Sequence, residues 1–191
     1  MRWVAALVLF LQLPVPLFWF VLHPQIGYWR KRQKTAYAVG LLGWPVVGAG
    51  LAVFRHDLFL REYPATWRMA VGFALLVFEV WLFERARRDL GTARFIGRTE
   101  LSGGGEVVSQ GIYGRMRNPR YVGSFLAIMG ACLLAGTGRL WLVAAVWTIL
   151  IRLAIGFEER EMRNRFGDAY VEYCRRVPRF FSLRRTPPRS P

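Results

Sequence analysis

Cysteine and histidine are almost missing from this 191-residue chain, with two of each. Cys132 and Cys174 make no C-x-x-C pair, which argues against a disulfide framework and against a cysteine zinc site. His23 and His56 lie outside any cluster able to hold a metal, so no metal is expected among the partners. A dinucleotide fingerprint is missing too. The glycines of Leu101 to Gly105 (L-S-G-G-G) follow no strand and match no G-x-G-x-x-G, so a plain linker is expected there and not a phosphate cradle. Acidic residues are scarce, 12 against 27 Lys and Arg, leaving a formal net charge of +15.

What the chain does have is apolar surface. Its residues are 54% hydrophobic, and a basic chain of that composition fits apolar spans joined by basic loops better than a soluble domain. Nucleic acid is not an expected partner, because the Lys and Arg residues sit between the spans and not along one soluble face. The fold class implied is all-α, a polytopic integral membrane protein with five transmembrane helices: Trp3 to Leu22, Thr35 to Phe54, Thr66 to Phe83, Tyr121 to Gly136 and Leu140 to Gly156. Pro14 and Pro16 should kink the first of them. It has no small-x-small cleavage site, so a retained span is expected in place of a signal peptide. The fourth and fifth spans, joined by Thr137, Gly138 and Arg139, should form a short, tight hairpin. Gly123, Ala127, Ala131 and Ala135 give the fourth span a smooth face for close backbone approach.

Basic residues orient the bundle. The loop 23–34 carries four, the segment 84–120 eight and the tail 157–191 nine, whereas loops 55–65 and 137–139 carry two and one. That alternation places the N-terminus outside and the C-terminus in the cytosol, most simply in the plasma (inner) membrane. The domain organisation expected is a three-span region over 1–83, a catalytic region over 84–183 and a disordered basic tail over 184–191 beside anionic membrane lipid.

Two polar stretches flank the hairpin on its cytosolic side. Gly111 to Gly123 reads G-I-Y-G-R-M-R-N-P-R-Y-V-G, and Phe157 to Tyr173 reads F-E-E-R-E-M-R-N-R-F-G-D-A-Y-V-E-Y. Polar groups this dense are expensive near lipid and suggest a site. Asn118 precedes Pro119 and is pushed out of the helical region, which makes a turn that delivers Arg117 and Tyr121 to the hairpin mouth. In the cytosolic C-terminal helix, Met162, Phe166, Ala169, Tyr170, Tyr173 and Val177 follow helical spacing and define an apolar face. Glu159 projects near the middle of that face, Glu158 at its edge, and Glu161 away from it. Glu159 can also bridge simply to Arg163 at i+4. Arg152 lies seven residues earlier on the stripe of Glu159, and can equally snorkel to headgroups. A buried Glu79 should either find Arg117 or Arg152 or line the site.

These residues resemble a known family. G-x-Y-x-x-x-R-N-P-x-Y-x-G, a short hairpin, then E-E-x-x-M-x-x-x-F-G-x-x-Y-x-x-Y-x-x-x-V-P-R-F is similar to the isoprenylcysteine carboxyl methyltransferases and their phospholipid methyltransferase relatives, over about Gly111 to Phe181. The resemblance implies methyl transfer from S-adenosylmethionine in a cytosolic pocket lined by Tyr113, Arg117, Asn118, Tyr121, Glu158 and Glu159, with Arg117, Arg152 and Glu159 as the catalytic candidates. It also implies a lipidic or membrane-soluble acceptor. The chain departs from the family at Ile112, where proline is common, at Gly114, where a larger residue is common, and at Asn118, where histidine is common. Asn118 can orient a ligand but cannot act as a base near neutral pH. An NAD(P)H-dependent membrane reductase of the steroid 5-alpha-reductase kind and a non-enzymatic scaffold are the competing readings.

Overall fold

Pro14 and Pro16 divide the first apolar stretch into α1 (Arg2–Gln12) and α2 (Val15–Leu22), as residues without an amide donor do. Leu13 and Pro14 keep helical dihedrals, so the two pieces run on as one bent rod. A 3-10 turn (His23–Gln25) and α3 (Ile26–Arg30) lengthen that rod to 29 residues. A second rod of 21 residues follows from α4 (Gln33–Leu41) and α5 (Gly43–Val53), with α6 (Arg55–Leu58) one turn beyond. This computed structural model describes residues 1–59 and 64–181, and among them there is no strand. The expected tail over 184–191 lies outside the described residues.

The third rod, α7 (Thr66–Leu90), passes the expected end at Phe83 by seven residues. Glu84 carries it forward by pairing with Arg87 and Arg88 at 2.8 and 2.7 Å, one turn along the same helix face. The short α8 (Thr92–Phe95) and α9 (Arg98–Ser102) come next. Leu101 is buried and its carbonyl accepts from the Gln33 amide at 3.4 Å, so the glycine-rich linker begins from an anchored residue.

After a 3-10 turn (Gly111–Gly114), α10 (Pro119–Ala135) starts where proline fits best, at the first helical position. Helix α11 (Arg139–Phe166) then runs 28 residues without interruption. The expected boundary after Gly156 does not exist. Glu159–Arg163 and Glu161–Arg165 bridge successive turns at 3.9 and 3.3 Å, and the helix ends only at Gly167, whose φ of 53° and ψ of −131° suit glycine. Helix α12 (Asp168–Arg176) then folds back.

Four rods, Arg2–Arg30, Gln33–Val53, Thr66–Leu90 and Arg139–Phe166, are long and apolar enough to cross a membrane. The fifth apolar helix, α10, has 17 residues, about 26 Å at ~1.5 Å per residue. It is also the most enclosed. Gly123, Ala127, Ala131 and Ala135 are all buried, so the expected smooth face is real. Its main partners are α7 and α1, while α11 touches α2 about as much as it touches α10, so the hairpin is not the principal packing unit. Helices α7 and α10 touch backbone to backbone: a Cβ on Gly130 would stand 2.9 Å from the Gly72 carbonyl oxygen. Large apolar side chains such as Phe78, Trp81, Leu142 and Ile149 cover the outside, where lipid and not water is the suitable solvent.

Candidate active site

One cleft gathers the polar motifs. Its walls are the end of α7, the Gly111–Tyr121 stretch, the last turns of α11 and the face of α12. The space it encloses is about 50 Å³, well under the ~300–1,000 Å³ of a compact-ligand pocket, so the walls must part to admit a ligand. Tyr113, Arg117, Asn118, Tyr121, Glu158 and Glu159 all line it.

The first motif is anchored from α7. Asp89 accepts the Ile112 amide at 2.7 Å and is held in turn by Arg85 at 3.1 Å. Gly111 stands against that carboxylate with a φ of 58°, and a Cβ there would lie 2.1 Å from Oδ2. The turn buries Tyr113, whose carbonyl accepts the Tyr173 hydroxyl at 2.8 Å. Burial pushes the Tyr113 phenol up to about 12 and raises Tyr170 and Tyr173 as well, so all three stay neutral donors across physiological pH. Asn118 does not cap α10 with its side chain; its amide donates to the Arg179 carbonyl at 3.1 Å. The Arg117 amide donates to the Pro178 carbonyl at 3.0 Å. The motif is thus stitched to the end of the chain.

Two carboxylates on adjacent residues face different partners. Glu158 accepts the Tyr121 hydroxyl, lies 3.4 Å from Arg120 and has the His23 imidazole 3.8 Å away. Arg120 donates to the Phe95 carbonyl at 2.7 Å and sits 4.8 Å over the Trp19 ring. Glu159 is 2% exposed and accepts both prongs of Arg179, with Arg117 at 3.5 Å and Arg163 at 3.9 Å. This bidentate partner raises the affinity of Arg179 for its proton.

Several expectations need correction. Arg152 is exposed and outside the cleft. Arg152 points within about 20° of Glu159 on a straight helix but stands two turns, about 10 Å, earlier along the axis, where Ile151, Ala154 and Ile155 are the buried positions. Glu161 does project away from the cleft, but it is buried there between Arg30 at 3.2 Å and Arg165 at 3.3 Å. Glu79 packs against Gly123 where α7 and α10 cross; it pairs with neither Arg117 nor Arg152. Met162, Phe166, Tyr170, Tyr173 and Val177 do gather, because α12 folds onto α11 and not because one helix carries them; Ala169 remains exposed.

His23, Arg94, Arg120 and Arg179 were not singled out from sequence. Arg94 lines the cleft from α8, donates to the Glu106 carbonyl and lies 5.7 Å from the Phe166 ring centroid. Arg120 and Arg179 stand inside the two motifs, at N-P-R-Y and V-P-R-F, among several cations to which the pattern gives no role. Nothing in the linear pattern points to His23 or Arg94. Among the described residues no group of three His, Cys, Asp or Glu is assembled that could hold a metal ion.

The fold and the site together define an integral membrane protein with an arginine- and glutamate-lined cleft at one end of an all-helical bundle. The chain belongs to the phospholipid methyltransferase family, which residues 67–169 match. It is also similar to methanethiol S-methyltransferase 1 of Bradyrhizobium diazoefficiens, with 39% identity over 75 residues, or 39% of this chain and 26% of that protein. The chain thus covers about a quarter of the length of this curated relative. No solved structure matches it.

Proposed function

We propose that the protein transfers a methyl group from S-adenosylmethionine to a lipidic acceptor at the cytosolic membrane face. The observation that carries this is the convergence of Tyr113, Arg117, Asn118, Tyr121, Glu158 and Glu159 on one cleft. The donor set suits the cofactor. It offers carboxylates for an ammonium or ribose hydroxyls, guanidiniums for a carboxylate, and aromatic faces for a cationic sulfur. Two cleft groups, the Tyr113 hydroxyl and Arg117 Nε, are buried with no hydrogen-bond partner among the described residues, which is where a polar ligand would be received.

When bound, S-adenosylmethionine supplies a methyl group on a positively charged sulfur. The chain's own residues do the rest by binding and alignment, since such a displacement needs geometry and exclusion of water more than acid–base chemistry. Arg117 and Glu159 would hold the amino-acid end, Glu158 and Tyr121 the ribose, and Asn118 would orient the turn without moving a proton. Region 84–183 would carry the catalytic groups, with Trp19 and His23 of the first rod closing the floor beside Glu158. The orientation consistent with this has five spans, α10 included, with the N-terminus outside.

The activity that the similar protein is named for, methyl transfer to methanethiol, favours a second acceptor class, a small thiol. Calorimetry on the protein in detergent should show saturable binding of S-adenosylhomocysteine. NADPH binding without it would replace the methyltransferase by the reductase. A labelled methyl donor, followed in lipids and in volatile thioethers from cells with and without the protein, separates the two acceptor classes.

A further inference from the structure

The rods leave a second recess, one helix length from the cleft. Helix α1 begins at Arg2 and its rod reaches the cleft only at His23, so the recess beside Arg2 lies at the opposite end of the bundle. It opens between α1 and the pair α5–α6, with walls of Trp3, Phe10 and Leu51. Its enclosed space is about 690 Å³, in the upper part of the ~300–1,000 Å³ usual for ligand pockets. Gly48 lets the Phe10 ring form its floor, since a Cβ there would come within 3.2 Å of the ring.

Its rim has one sign of charge. Arg2, Arg55 and His56 stand at the mouth and are exposed, and no acidic residue lines the recess among those described. Arg2 is poised 5.3 Å over the Trp3 ring, and Arg55 donates to the Ala52 carbonyl at 3.1 Å. The nearby Asp57 is engaged elsewhere, by Arg139. The recess also lies on helices long and apolar enough to span a membrane, so its open side faces acyl chains. An apolar groove with two guanidiniums at its interfacial end matches one chemistry: hydrocarbon chains below and an anionic phosphate above.

We propose that this recess is a binding site for an anionic glycerophospholipid, separate from the cleft and independent of the methyl-transfer proposal. The test uses the full chain purified in detergent, stripped of lipid and supplied with phosphatidylglycerol or phosphatidylcholine of the same acyl chains. Native mass spectrometry should show phosphatidylglycerol retained preferentially, and Arg2→Ala with Arg55→Ala should weaken that retention about tenfold or more. A photoactivatable phosphatidylglycerol should label peptides covering 2–12 and 43–58. Equal retention of the two lipids, or unchanged retention in the double variant, overturns the proposal. If the double variant loses its helical spectrum, Ala52→Trp, which fills the recess from an exposed position, decides: displaced labelling supports the site, and unchanged labelling removes it.

Discussion

Arg179 reaches back twenty residues and clamps Glu159 with both prongs of its guanidinium, Nε donating to Oε1 at 3.1 Å and Nη2 to Oε2. The carboxylate thereby does two jobs, facing the cleft and tying down the segment after α12. If Glu159 also accepts from the cofactor's ammonium or ribose hydroxyls, Glu159→Gln removes a charge-assisted contact to the ligand worth about 1.5–3 kcal/mol. A folded variant should bind S-adenosylhomocysteine roughly 10- to 150-fold more weakly by calorimetry. Glu172→Gln is the control: its exposed pairs with Arg175 and Arg176, at 3.6 and 3.4 Å, predict at most ~0.5 kcal/mol and no change in binding. Unaltered affinity in Glu159→Gln would reduce Glu159 to a tether.

Glu161 should behave as a latch and not as an inert surface acid. Replacing it with Gln removes the carboxylate that Arg165, 7% exposed at its side chain, and Arg30, 35% exposed, both approach. The expected loss is about 3 kcal/mol, at the low end for a broken buried pair because Arg30 can regain water. Denaturant titration in mixed micelles measures it. A loss below ~0.5 kcal/mol would show that the loop after α3 is not held through this contact.

Gly111→Ala should be far worse than Gly114→Ala. The first forces a side chain into left-handed backbone, costing about 1–3 kcal/mol, and drives its Cβ into Asp89. The second keeps an ordinary φ and meets the Ser109 carbonyl at 3.0 Å. Thermal melts should rank them in that order, with cofactor affinity lost in the first. Equal melting temperatures would mean that Asp89 does not pin the motif.

Tyr121→Phe deletes the hydroxyl that Glu158 accepts while keeping the buried ring. The missing contact is worth about 1.5–3 kcal/mol when the acceptor is charged. Weaker S-adenosylhomocysteine binding with an unchanged melt would place Glu158 in the ligand's contact set; the reverse pattern would make the pair structural.

Cysteine accessibility tests the orientation. Single cysteines at 30–34 and 98–106 should react only from the cytosolic side, and those at 56–59 only from outside. A C-terminus reached from outside would separate the cleft from the cytosolic methyl donor.

The helices, the basic loops and the two motifs are local properties, and the chain states them without help. Apolar runs, prolines 14 and 16 and the N-P step at 118–119 act through neighbours in sequence, which is why the four long apolar rods and the turn before α10 were legible. So were the six residues of the cleft, since each motif is one continuous stretch. Partnership was different. Glu158 and Glu159 are adjacent in sequence yet sit in separate networks, one closed by Tyr121 and Arg120 and the other by Arg179. Helical spacing assigns a direction but not what waits there, so Arg152 ended outside the cleft while Glu161, aimed away from it, found Arg30 across the bundle. Long cationic side chains choose among several acids within reach by burial and geometry, and only the packing of α1, α7 and α12 around α10 and α11 settled which pairs form.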